Sequence, residues 1–492
     1  MSDQQTSYRQ IVKATSIFGG VQFFQIIIGI IRSKFIAVLL GPLGIGISGL
    51  LTSTTGFVAA MTSFGLSTSA VKDISVAYST GSEIRLAIVA KVFRRWVWVT
   101  GAMGAVLTAV LSPWLSELTF GNRDYTFAFI WISITLLLNQ ISAGQSVMLR
   151  GMRQIRYMAL AGMYGSVIGL FTTIPLYYFY GIQGIVPGII MTAISTLALT
   201  WYFARKLEVK LIYVSKARTL AEGKEMLKMG FMISLSSLIT LGTAYVVRIF
   251  ISKTGGVNEV GLYSAGFAII NTYVGMVFTA MSTDYYPRLA GVAHSNEKSK
   301  EVINQQAEIA ILILAPIIMF FLVFINWVVI ILYSKKFSPI NDMILYAALG
   351  MFFKAASWSI SFIFLAKGVS KVFFWNELIT NVYLLAFNLL GYKYFGLQGM
   401  GISFMVAYFL YVIQVYYVSR NKYEFSFTPA FFKIFTLQFG LAVVCLVVVK
   451  LLSNPFSYIV GSVFIVTSIY FAFKELDKRL DMKLIISRIK KS

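Results

Sequence analysis

The chain reads as an all-α, polytopic membrane protein with about fourteen spans, in two pseudo-symmetric six-helix bundles plus two C-terminal helices. Three observations predict this. Apolar runs recur from end to end of a sequence that is 58% hydrophobic and only 12% charged. Each run of about 20 residues is long enough to cross a hydrocarbon layer of ~30 Å. Three glycine-bearing anchors recur in the same order about 216 residues apart, which marks an internal duplication. Lys and Arg crowd into alternate loops, the pattern that fixes membrane orientation.

The spans fall near 11–40, 44–66, 92–113, 125–147, 157–179, 184–203, 226–253, 260–283, 305–332, 340–365, 372–394, 398–418, 430–451 and 456–473. The first carries no small-residue cleavage site with a polar flank, so it reads as a retained span. Gly41-Pro42 ends it, because proline cannot continue a helix past its first turn. Tyr180-Gly181-Ile182-Gln183-Gly184 is answered by Phe395-Gly396-Leu397-Gln398-Gly399, Arg150-Gly151 by Lys367-Gly368, and Gly44-Ile45 by Gly261-Leu262. The copies are 8–210 and 222–421, followed by two extra helices (430–474) and a basic tail (475–492). Six spans per copy give both copies the same polarity, hence a pseudo-twofold axis along the membrane normal.

With the N-terminus inside, the outer loops hold only Arg123, Lys253, Lys335, Lys336, Lys393 and Lys450, and most other basic residues face inward. Both termini are therefore expected to be cytoplasmic. The linker between copies is basic (Arg205, Lys206, Lys210, Lys216, Arg218, Lys224, Lys228). In the tail, Leu476, Leu480, Leu484, Ile485 and Ile489 share one helical face among Lys and Arg, a pattern suited to the surface of an anionic leaflet. A disordered tail that only enforces topology is the alternative.

The net charge of +23 is explained by loop placement and needs no nucleic acid. One cysteine (Cys445) and one histidine (His294) leave little for a metal centre or a Cys-His nucleophile pair. No GxxxxGK[ST] loop is present, which argues against ATP hydrolysis.

Charges within spans are costly and mark function by default. Arg32 lies roughly 13 Å below the Gly41-Pro42 turn, and Arg248 roughly 10 Å before Gly255-Gly256, at near-equivalent places in the two copies. Lys34 and Lys354 add two further cations, while Glu377 is the one carboxylate clearly inside a span. The competing reading of each cation is snorkelling to the interface. Four cations against one carboxylate favour an anionic passenger, and the forked guanidinium suits phosphate oxygens. Asp284 and Arg288 are spaced to pair along a helix end as a structural gate. Thr52-Ser53-Thr54-Thr55, Asn139-Gln140 and Ser357-Trp358-Ser359 either line a cavity or bond between helices.

Arg32-Ser33-Lys34 through Gly41-Pro42-Leu43-Gly44, Tyr286-Pro287-Arg288-Leu289, and Gly396-Leu397-Gln398-Gly399 with its first-half twin carry a resemblance over essentially the whole chain. The chain resembles the Wzx-type polysaccharide (O-antigen) flippases of the multidrug/oligosaccharidyl-lipid/polysaccharide (MOP) transporter superfamily. The resemblance implies two bundles working by alternating access and a cationic cavity for a sugar-diphosphate headgroup. The lipid tail is expected to enter between spans one and eight. The implied cargo is an undecaprenyl-diphosphate-linked oligosaccharide moved from the cytoplasmic to the periplasmic leaflet of a bacterial inner membrane. Arg32, Arg248, Lys34 and Lys354 are then the expected headgroup ligands, and Glu377 the candidate for Na+ or H+ coupling. No other cofactor and no covalent chemistry are expected. Membrane lipids, a polysaccharide polymerase and a chain-length regulator are the expected partners. The alternatives are a cation-coupled multidrug exporter, which would want carboxylates in the first helix, and a membrane polymerase or glycosyltransferase, which would want a long outer loop.

Overall fold

The computed structural model describes the backbone of residues 3–210 and 212–480, and the side chains of residues 24–210, 212–282 and 284–479. Among the described residues all regular structure is helical. In order the helices are α1 (Asp3–Ser63), α2 (Leu66–Ser79), α3 (Glu83–Val110), α4 (Ser112–Phe120), α5 (Thr126–Gly151), α6 (Ile155–Tyr180), α7 (Ile185–Ala204), α8 (Lys216–Gly255), α9 (Val257–Ala268), α10 (Met276–Gly291), α11 (Asn296–Leu332), α12 (Asn341–Ala366), α13 (Ser370–Tyr423), α14 (Pro429–Leu451) and α15 (Phe456–Leu480). The amphipathic face expected in the basic tail falls largely beyond Leu480, outside the described residues.

Ten segments are long and apolar enough to span a membrane, or eleven if the bent pair α3–α4 counts as one span. The total of fourteen is therefore not confirmed. Three of the ten, Phe24–Ser63, Ile155–Ala204 and Ser370–Tyr423, contain 40, 50 and 54 residues. At 1.5 Å per residue a straight 54-residue helix would run to about 80 Å, far more than a bilayer core. Each of the three is broken at a glycine with positive φ: Gly41 (φ 65°), Gly181 (φ 52°) and Gly396 (φ 58°). Only glycine enters that quadrant cheaply.

Two of these breaks are hairpin tips. Across Gly396, Ser403 Oγ donates to Phe387 O at 2.6 Å, Gln414 Nε2 donates to Asn376 Oδ1 at 2.8 Å, and Gly391 meets Gly399 backbone to backbone. The residues of each pair lie equally far along the chain from Phe395, as antiparallel arms require. Across Gly181, the Tyr177 ring lies on Gly188 and Gly165 faces Leu199. The two tips share a backbone conformation: φ 52°, ψ −129° at Gly181 and φ 58°, ψ −141° at Gly396. They are 215 residues apart. So are Gly41 and Gly256, and so are two further positive-φ residues, Arg153 and Gly368. Three coincident offsets in backbone conformation set the register of the repeat at 215.

By packing, the chain divides into two compact units, Met1–Gly261 and Leu262–Ser492. Helix α8, which the sequence repeat places in the 222–421 copy, packs on α1, α2, α3 and α4 of the first unit. Gly65 and Gly230 touch there backbone to backbone, and Trp96 Nε1 donates to Thr219 O at 3.0 Å. In the second unit, α14 and α15 pack on α11.

Candidate functional site

In the first unit Arg32 is half-buried on α1, nine residues before Gly41. Its guanidinium lies near the hydroxyl of Tyr177 on α6 and interacts with it electrostatically. Tyr177 is buried with Leu40, Ile47, Leu51 and Ile185, and its ring fills the space that Gly188 leaves on α7. The guanidinium on α1 therefore faces a phenol that α6 carries and α7 seats. Among the described residues no carboxylate forms an ion pair with Arg32. Lys34, also half-buried, leaves the same helix two residues on, about 200° around the axis, so the two cations serve different faces.

Arg248 is half-buried on α8, and its Nη1 donates to Ala244 O at 3.2 Å. The helix is pinned one turn earlier. Thr54 Oγ1 lies 3.2 Å from Thr119 Oγ1, which lies 3.0 Å from the Tyr245 hydroxyl. The Tyr245 ring stacks on Phe57 at 5.3 Å. At a register of 215, Arg248 matches Ser33, one residue from Arg32, and by contact both arginines belong to the first unit.

The cation of the second unit is Lys354 on α12. Its ammonium lies over the rings of Tyr408 (5.2 Å), Phe404 (5.6 Å) and Phe278 (5.9 Å), and reaches Asn271 Oδ1 at 3.4 Å. Such cation–π contacts hold a charge without neutralising it. Asn271 sits in a single π-helical turn, Ile269–Val274, the kind of widened turn that often marks a functional position. Tyr408 leads on to Tyr411 (centroids 6.3 Å apart), whose hydroxyl donates to Glu377 Oε1 at 3.0 Å. Lys354 and Glu377 thus stand at two ends of one aromatic row.

Asp284 and Arg288 form the spaced pair, but at 3.9 Å and with Asp284 exposed. Arg288 also donates to Gln306 Oε1 at 3.0 Å. The anchor of this segment is Tyr285, fully buried, whose hydroxyl donates to Ser359 O and whose ring packs on Trp358 and Phe362.

Sequence reasoning missed several of these groups. Tyr177, Asn271 and the aromatic box have no local signature, because each comes from a different helix. Glu308 is buried and receives Arg479 Nε (2.9 Å) and Thr428 Oγ1 (2.9 Å), while Arg479 also pairs with Glu475 at 2.7 Å. This polar staple ties the two appended helices to α11.

The model of the polysaccharide biosynthesis protein family matches residues 35–342, well over half of the chain. The chain belongs to the polysaccharide biosynthesis protein family. A family relative, the lipid III flippase of Escherichia coli (strain K12), is 20% identical over 389 residues, covering 78% of this chain and 92% of the relative. A putative O-antigen transporter of Shigella flexneri is 23% identical, covering 76% and 90%. Among solved structures, the lipid II flippase MurJ in an inward closed conformation superposes with a TM-score of 0.70 at 13% identity, over 94% of this chain and 99% of its own. An inward-facing multidrug resistance MATE family transporter of the MOP superfamily gives 0.69 at 14% identity, over 83% and 98%. The fold of this polysaccharide biosynthesis protein is that of the MOP transporters, and the protein is a multi-pass membrane protein.

Proposed function

We propose that this polysaccharide biosynthesis protein is a flippase for undecaprenyl-diphosphate-linked oligosaccharide, working by alternating access and performing no covalent chemistry. One observation carries the reading. Each compact unit holds a cation within an apolar span, Arg32 and Lys354, whose neighbours are phenol, aromatic ring and amide and not carboxylate. Their charge stays available to an anion, and a diphosphate offers the oxygens a guanidinium fork and an ammonium recognise. The matching names of relatives, lipid III flippase and O-antigen transporter, support the same cargo class.

The protein supplies a polar route for a headgroup whose desolvation in hydrocarbon would cost many kcal/mol. Arg248 and Lys34 are secondary ligands. The crowding of basic residues into alternate loops supports cytoplasmic termini in a bacterial inner membrane, so the headgroup enters from the cytoplasm. Glu377, bonded to Tyr411 beyond the Lys354 box, is the group we assign to Na+ or H+ coupling. A polymerase and a chain-length regulator would consume the released unit.

The test is complementation of a deletion strain by Arg32→Ala and Lys354→Ala, singly and together, read as lipid-linked oligosaccharide held on the cytoplasmic leaflet. Loss of a charge-assisted hydrogen bond weakens headgroup binding roughly 10- to 100-fold, so the double variant should trap the intermediate. Full restoration of surface polysaccharide by the double variant would end the assignment.

A further inference from the structure

We propose that a cavity in the first unit, among α1, α5, α6 and α7, is a separate site for the phosphodiester headgroup of an anionic membrane lipid. The cavity holds about 280 Å³ and is lined by Gln25, Ser146, Arg150, Gly162, Thr196 and Thr200 on its polar side. Arg150 stands in the last turn of α5, and Gly162 lies seven residues into α6, about 10 Å along it. The site therefore sits near the basic Arg150–Arg156 end of the bundle.

The repeat register shows what the cavity lacks. Arg153 matches Gly368 and Gly181 matches Gly396, both 215 apart, so α6 and the first arm of α13 align without insertion. Ala161, Gly162 and Thr196 then correspond to Asn376, Glu377 and Tyr411. In the second unit this place is filled: the Glu377 carboxylate accepts the Tyr411 hydroxyl, and Gln414 donates to Asn376. In the first unit a glycine replaces the carboxylate and a threonine the tyrosine; the Gln25 amide of α1 packs against Gly162, and open volume remains beside it. The second unit fills this place with a carboxyl group of its own chain, whereas the first offers room for an oxyanion from outside.

The lining fits such an anion. Arg150 spends its Nε on the Met158 sulfur, a weak acceptor, at 3.2 Å, and no carboxylate pairs with it among the described residues. The remaining guanidinium donors suit a phosphate. Thr196 donates its own proton to Thr192 O at 2.8 Å, leaving its oxygen to accept from a headgroup hydroxyl. Leu149, Met158 and Ala159 supply apolar wall for the glycerol and first chain carbons. That mixture favours a lipid such as phosphatidylglycerol over a free phosphate ion, which shares only the oxyanion.

The experiment needs no transport assay, so it stands or falls apart from the flipping assignment. The purified full chain in neutral micelles is titrated with phosphatidylglycerol or phosphatidylcholine, and retained lipid is counted by native mass spectrometry. The wild type should prefer phosphatidylglycerol by about tenfold or more. Arg150→Ala and Gly162→Glu, which installs the carboxylate of the second unit, should abolish the preference. Thr196→Val, a near-isosteric change, should weaken it severalfold and serves if Gly162→Glu does not fold. Arg156→Ala removes a charge from the same basic turn without touching the cavity and should leave the preference intact. Unchanged retention in Arg150→Ala and Thr196→Val would overturn the site. Equal losses in Arg156→Ala and Arg150→Ala would mean diffuse attraction to a basic surface, and displacement by millimolar inorganic phosphate would mean a free-anion site; either overturns the lipid assignment.

Discussion

The settings of Arg32 and Lys354 differ although the backbones that carry them repeat. Arg32 rises from a regular helix into an aliphatic cluster and meets a single tyrosine. Lys354 stands in a box of three rings beside a π-helical turn. At a register of 215, Lys354 falls on Asn139, and the box residues Phe278, Phe404 and Tyr408 fall on Ser63, Ile189 and Ala193, which could not build one. The hinge glycines, by contrast, are matched to the residue. Duplication kept the joints and let the side chains between them diverge, because a positive φ tolerates few residues while an ordinary helical position tolerates many.

The comparison can be broken at several points. The largest effect is expected at Glu308, whose staple has no counterpart in the first unit (residue 93 is Phe). Glu308→Ala removes the acceptor of Arg479 Nε and Thr428 Oγ1 while Glu475 keeps its pair with Arg479, and should cost about 3 kcal/mol, lowering hydrogen-exchange protection in α11, α14 and α15 while leaving α6 and α7 protected. Equal loss in both units would show that they do not unfold separately. Next come the tips: Gly181→Ala and Gly396→Ala should each destabilise by about 1–3 kcal/mol in thermal unfolding, and by similar amounts. A harmless substitution at either would remove the argument that the joints are equivalent. Tyr177→Phe should weaken headgroup binding by a smaller factor, roughly 2- to 10-fold, and Tyr408→Ala by about 2- to 5-fold, measured as trapped intermediate in complementation. Asp284→Asn should shift stability by less than about 0.5 kcal/mol, since its ion pair is exposed and long.

Much of the fold was legible. Gly41-Pro42 and the paired Gly-x-Gln-Gly segments announce breaks that the backbone then makes. The register was less so: residue matching pairs Gly151 with Gly368, whereas backbone conformation pairs Arg153 with Gly368, because a left-handed arginine leaves no mark in the sequence. The placement of α8 was also hidden, since repeat boundaries follow descent while packing follows contact surfaces such as the Gly65–Gly230 approach. Of the site, Arg32, Lys354 and Glu377 stood out by charge alone. Tyr177, 145 residues from Arg32, and Arg479, 171 from Glu308, are joined to their partners only by folding.

The stem of α13 carries a mechanical consequence. Backbone contact at Gly391–Gly399 and the Ser403 bond to Phe387 clamp its arms within a few residues of the tip, and Gln414–Asn376 clamps them again toward the far end. A lever clamped at both ends cannot be prised apart without breaking the Ser403 bond and leaving the buried Asn376 amide without Gln414. Two arms joined in this way move as one rigid piece, which makes the hairpin a part that carries motion and not one that opens.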